Sequence, residues 1–251
     1  MKTVTFSIQK GGTGKTSISV SVAYELSKTS RVLLIDADPQ GNATTWLNLD
    51  TVKSELADVL AGKADAKDAI CKTSVSNLFI LPTAGIGGEL SKIKDTLAVQ
   101  SPFLFSDKLE AIAEYFDYCI IDTSPSFTTL EKQCFIASNE VIPVLLLDNF
   151  SLDGTQIFTF NLDNLRKDYR LNGKPLFNKL ILNKLNKQKT VSREMLNVFE
   201  KVYKDCNIYL IPTDPNFEKA QLTNKFIQEY AGAKSDTLQK IKEIAEAIKQ
   251  E

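Results

Sequence analysis

Apolar and polar positions along this 251-residue chain alternate between two periods. Short runs dense in Val, Ile and Leu recur at residues 4–8, 32–35, 78–81, 118–121, 141–147, 180–182 and 208–211. Several are almost continuously apolar, as expected of strands buried on both faces of a parallel sheet. Between them the spacing lengthens to that of a helix, for example at Leu109, Ile112, Ala113 and Phe116. Strand-then-helix alternation over the whole length predicts an α/β fold: a doubly wound, mostly parallel sheet with helices on both faces. Residues 237–249 carry Leu238, Ile241, Ile244, Ala245 and Ile248 at helical spacing and predict a closing helix. There is no internal repeat, low-complexity segment or linker, so residues 1–251 read as a single domain.

Composition narrows the chemistry. Apolar residues make up 43% and charged residues 24%, ordinary values for a globular protein. No run reaches the roughly 18–20 apolar residues of a membrane span, and the first residues have no signal-peptide layout. Histidine is absent, which excludes His bases, Ser-His-Asp triads and His-ligated metals. The four cysteines, Cys71, Cys119, Cys134 and Cys206, form no C-x-x-C pair and read as buried free thiols of a cytoplasmic protein. Net charge is −1, yet residues 166–193 hold nine Lys and Arg against the single acid Asp168. That block is a candidate polyanion surface.

The strongest motif is Gln9-Lys10-Gly11-Gly12-Thr13-Gly14-Lys15-Thr16, set between a strand-like and a helix-like run. Glycines there let backbone N–H groups turn onto a polyphosphate. Lys15 reaches its outer phosphates, the Thr16 hydroxyl can ligate Mg²⁺, and the helix start adds its dipole. Gln9 stands where the usual pattern has its first glycine. Asp36-Ala37-Asp38-Pro39-Gln40-Gly41-Asn42 ends a second apolar run, with two carboxylates pointing different ways. Asp122-Thr123-Ser124-Pro125-Ser126 ends a third, and a strand-end Asp of this kind holds Mg²⁺ through water.

These segments, in this order, resemble the deviant P-loop ATPases of the ParA/MinD family, Soj-type partition ATPases in particular. Lys10 matches that family's signature lysine. Ser124 departs from its D-T/C-P-P-S pattern, replacing the first proline. Phe150-Ser151-Leu152-Asp153-Gly154, Leu182-Asn183-Lys184 and Ile211-Pro212 resemble weaker family segments. The resemblance, which runs from about residue 3 to about residue 230, implies an ATP site made by Lys10, Gly11, Gly12, Thr13, Gly14, Lys15, Thr16 and Ser17. Asn183 and Pro212 would lie at the adenine, and Mg²⁺ would be held by Thr16, Asp36 and Asp122. It implies that Asp38 places the attacking water and that Lys10 crosses a two-fold interface into a partner's site, giving an ATP-dependent homodimer. It further implies slow hydrolysis stimulated by a ParB-like centromere-binding protein, and nucleoid association through non-specific double-stranded DNA. No helix-turn-helix domain is expected before the first strand.

For the DNA contact, Lys184, Lys187, Lys189 and Arg193 are the candidates, because Thr213-Asp214-Pro215-Asn216-Phe217 lacks the arginines that related partition proteins carry there. A MinD-like ATPase working on a membrane is the alternative. It would need the closing helix to grip lipid, but that helix mixes its charges and lacks Phe and Trp. Positioning of a protein cargo is a second alternative. Metal-handling relatives are disfavoured by the missing cysteine pair.

Overall fold

A computed structural model describes the chain except for residues 50, 86, 94–96, 98, 149–150, 186–189, 231, 233–234 and 251, and the side chains of residues 190–193. One sheet organises the molecule. Its strands are β1 (Lys2–Ser7), β2 (Val32–Ala37), β3 (Cys71–Lys72), β4 (Leu78–Leu81), β5 (Tyr118–Thr123), β6 (Glu140–Leu146), β7 (Lys179–Leu185) and β8 (Asn207–Pro212). They lie in the order β3-β4-β2-β5-β1-β6-β7-β8. Every pairing is parallel except β3 against β4. The seven strands expected from the sequence are present. β3 was not expected, because two residues are too few for a period to register.

Alternate residues of each strand feed two separate cores. Val32 and Leu34 of β2 join one, Leu33 and Ile35 the other. On the first face lie α1 (Lys15–Ser27) and α10 (Asp236–Lys249), packed on each other, with α10 also against β8. The opposite face is covered by α5 (Leu104–Glu110), α6 (Thr129–Ile136), α7 (Ser151–Asp168) and α8 (Thr190–Val202) through Phe105, Leu109, Phe135, Phe158 and Phe199. Leu238, Ile241, Ile244 and Ile248 of α10 are buried in the first core. Each contributes roughly 1.5–3 kcal/mol, so this stripe holds the fold together and is not a free apolar face. No helix among the described residues is long and apolar enough to cross a membrane.

Among the described residues there are also four short α-helices, α2 (Asn42–Leu47), α3 (Leu56–Leu60), α4 (Ala66–Ala69) and α9 (Asn216–Leu222). Trp46 of α2 is core, and its indole donates to the Lys225 carbonyl at 2.7 Å. Cys119 and Cys134 are buried free thiols, whereas Cys71 and Cys206 are only half-buried. Strand order reverses at β1, and its carboxyl end is the crevice in which such sheets bind ligands.

Candidate functional site

The segment between β1 and α1 turns sharply because Gly12 and Gly14 take left-handed φ of 73° and 91°. Gly14 is the helix cap, and no side chain caps the first amides of α1. A side chain at Gly14 would also collide with the Asn183 amide, whose nitrogen would lie 2.3 Å from a Cβ built there. Gly11–Ser17 line an open cavity of about 420 Å³ together with Asp38, Gln40, Asn42, Pro125, Lys184 and Gln221. The Thr13 hydroxyl is buried there without a hydrogen-bond partner. Lys15 is 6% exposed and donates to the Lys10 carbonyl at 3.3 Å. Burial lowers its pKa; the charges of Asp122, Asp38 and Glu131 oppose that shift.

Register brings the carboxylates together. Asp36 on β2 stands opposite Asp122 on β5. Both are fully buried, but they are used differently. Asp36 accepts from the Thr44 amide and the Thr44 hydroxyl, each at 2.8 Å, and so ties the start of α2 to the sheet. Burial raises its pKa to about 6. Thr44, which the sequence reading missed, is thus the partner of Asp36 Oδ2. Neither Asp122 oxygen finds a full hydrogen bond, although the Thr16 hydroxyl eases its charge. Burial, then the Asp36 charge, pushes Asp122 up to about 8. A lone buried carboxylate beside a hydroxyl fits a hard divalent cation that takes its other ligands from water and phosphate. Asp38 is nine-tenths buried in the cavity wall, and its Oδ1 accepts from the Gln40 amide at 2.9 Å.

The Asp122 shift has a testable sign. Its carboxyl is held above its ordinary value in the fold, so the folded state keeps a proton that the unfolded chain releases. Without a cation, the contribution of Asp122 to stability is expected to be fully present below the ordinary carboxylate range and to be lost as pH rises towards about 8. For a chain of this size each kcal/mol lost lowers the melting temperature by about 2–4 °C. A pH series of melting curves checks this. Asp122→Asn should flatten the slope, and Mg²⁺ with nucleotide should reverse it. A wild-type curve independent of pH would contradict the assignment.

Other expected site residues fall elsewhere. Lys10 lies outside the cavity wall and pairs with Asp148, just past β6. Asn183 acts on the loop: its amide nitrogen donates to the Thr13 carbonyl at 2.8 Å and its oxygen accepts from the Lys184 amide at 2.9 Å. Pro212 closes β8 but is not part of the cavity wall. Lys184 has a φ of 55° at the β7 irregularity, and its exposed side chain donates to the Gly12 carbonyl at 3.3 Å, at the mouth of the cavity. Among the described residues of the basic block, two are turned to structural use. Lys179 is 1% exposed against Glu140, and Arg166 is spent on Asp163 and the Pro175 carbonyl. Lys187, Lys189, the Arg193 side chain and Phe150 lie outside the described residues.

The sequence reading also missed Glu131. This buried side chain of α6 accepts from Ser124, from the Thr128 amide at 2.9 Å and from the Thr128 hydroxyl at 2.5 Å. The signal was present as Thr-x-x-Glu at a helix start.

The family model described as an AAA domain matches residues 1–175. The chain is 34% identical over 235 residues to the uncharacterized protein BBD21 of Borreliella burgdorferi, covering 92% of each. It is 29% identical to the sporulation initiation inhibitor protein Soj of Bacillus subtilis, covering 91% of each. It is 34% identical to the virulence plasmid ParA family protein pGP5-D of Chlamydia psittaci, over 62% of this chain and 61% of that one. Among solved structures, the fold matches the Cyanothece McdA(D38A)–ATP complex with a TM-score of 0.88 at 22% identity, covering 99% and 96% of the two chains. It matches the septum site-determining protein MinD of Pyrococcus horikoshii, complexed with Mg-ADP, with a TM-score of 0.80 at 23% identity, covering 98% and 95%.

Proposed function

Because the chain belongs to the ParA/MinD class of P-loop ATPases, we propose that it is a partition ATPase that dimerises on ATP and hydrolyses it to move DNA. One observation carries this reading: the loop, Lys15 and Asp38 share a single cavity while Lys10 stands outside it. The named relatives include a virulence plasmid ParA family protein.

The chemistry follows from placement. Phosphoryl transfer needs positioning and charge neutralisation more than covalent help. The loop amides and the Lys15 ammonium hold the phosphates of ATP. Thr16 and Asp122 would hold Mg²⁺, which supplies further neutralising charge when bound. Asp38 orients the attacking water. Lys10 leaves Asp148 and reaches the γ-phosphate of a second copy, completing a site that one subunit leaves open. In the two-ATP dimer a positive surface binds DNA without sequence preference, and a ParB-like partner stimulates hydrolysis and release. Lys184, Lys187, Lys189 and Arg193 stay candidates for that surface, joined by the exposed Lys167 and Arg170.

The test is fluorescence anisotropy of a labelled non-specific duplex titrated with protein in ATP, ADP or no nucleotide. Binding is expected only with ATP and should weaken about tenfold or more between 50 and 200 mM salt, as several phosphate contacts require. Charge reversal at Lys187 and Lys189 should weaken it further. A stable ATP dimer that ignores DNA at every salt concentration would rule the DNA role out and leave a cargo-positioning ATPase.

A further inference from the structure

The loop from Asp122 to α6 is held unusually. Ser124 is 9% exposed, and its hydroxyl donates to Oε1 of Glu131. Its oxygen lies 2.8 Å from the Ser126 hydroxyl. The same carboxylate takes the Thr128 amide and hydroxyl on Oε2 and thereby caps α6. One buried acid thus gathers two hydroxyls and one amide directly, and a third hydroxyl through Ser124, from a five-residue stretch. Between Ser124 and Ser126 sits Pro125, which lines the nucleotide cavity and lies against Gly11 of the loop. Burial alone would raise the Glu131 carboxyl, but hydrogen bonds from Ser124, Thr128 and Ser126 outweigh it and hold it below the ordinary range. The anchor is therefore an ionised group, and hydrogen bonds to such groups are about twice as strong as neutral ones.

A proline at position 124 would stiffen this stretch covalently by fixing φ. Serine leaves φ free, so the stiffness has to come from the bond to Glu131. We propose that Ser124 and Glu131 form a latch that positions the Asp122–Ser126 segment against the outer phosphates, making both of them positioning residues for hydrolysis. Neither side chain need touch the substrate. The latch sets where Pro125 and the neighbouring backbone stand when the cavity fills. Misplacement of that segment by a fraction of an ångström should cost turnover and leave ground-state binding almost intact.

This inference rests on the ATPase reading. The test is single-turnover hydrolysis alongside titration of a fluorescent ATP analogue and a melting curve. Ser124→Ala is the main variant, because it leaves the cap of α6 in place. A tenfold or greater fall in rate is expected, with nucleotide affinity changed less than threefold. Ser124→Thr should restore the rate through its hydroxyl, and Ser124→Pro should restore it by fixing φ. Glu131→Gln should slow turnover as Ser124→Ala does. Ser124→Ala hydrolysing at the wild-type rate would overturn the latch and leave the ATPase reading intact. A fall in rate matched by an equal loss of affinity, or one that Ser124→Thr does not rescue, would overturn it too. A wild-type protein that binds the analogue but never hydrolyses ATP would remove the ATPase reading, and the latch with it.

Discussion

Lys15→Ala is expected to abolish nucleotide binding, weakening affinity for ATP at least about 100-fold, equivalent to about 2.7 kcal/mol. The size follows from the surroundings. Lys15 is the buried cation of a site that holds Asp38, Asp122 and Glu131, three groups whose charges act on it. Without the ammonium, a polyphosphate would enter a cavity whose buried wall keeps the acid Asp38 and no cation, Lys184 standing exposed at its mouth. Loop amides and the α1 dipole remain, but a helix terminus is worth about 0.3–1 kcal/mol to a nearby charge, too little to offset that repulsion. Isothermal titration with ATP and Mg²⁺ measures the effect. A melting curve run beside it separates lost binding from lost fold. Wild-type affinity in a folded variant would show that the phosphates lie elsewhere.

Much of this architecture is legible in the sequence. Nearly continuous apolar runs mark strands covered on both sides, and alternate residues of those runs do enter separate cores. The loop is legible because glycine, lysine and threonine spacing is dictated by phosphate geometry, which is local in the chain. Partnerships across the fold are not local. Asp36 and Asp38 are told apart in the sequence only by the ways they point. The structure adds their partners, giving Asp36 to Thr44 of α2 and Asp38 to the cavity. Asn183 and Lys184 follow the same rule. Their neighbour is the loop some 170 residues earlier, and a left-handed turn at Lys184 decides where its charge points. The basic block shows a related effect. Charge counted along a chain ignores that Lys179 faces inward on a strand, paired with Glu140.

Asp38→Ala is expected to separate binding from chemistry. Turnover should fall about 10²–10⁴-fold, the usual worth of a group that handles the proton of an attacking nucleophile, while ATP still binds and the dimer persists. Binding should survive because the substitution removes a negative charge from the cavity that receives a polyphosphate and one of the charges acting on Lys15. Single-turnover hydrolysis and light scattering in ATP check the two halves separately. A drop in rate alone would not distinguish a lost base from a collapsed loop, since Asp38 also receives the Gln40 amide. Asp38→Asn resolves that, because its amide oxygen can still accept from Gln40 while it cannot take a proton from water. If Asp38→Asn hydrolyses normally and Asp38→Ala does not, Asp38 is a structural brace for the 38–42 turn. If both fail while both remain ATP dimers, the carboxylate itself is needed for the water.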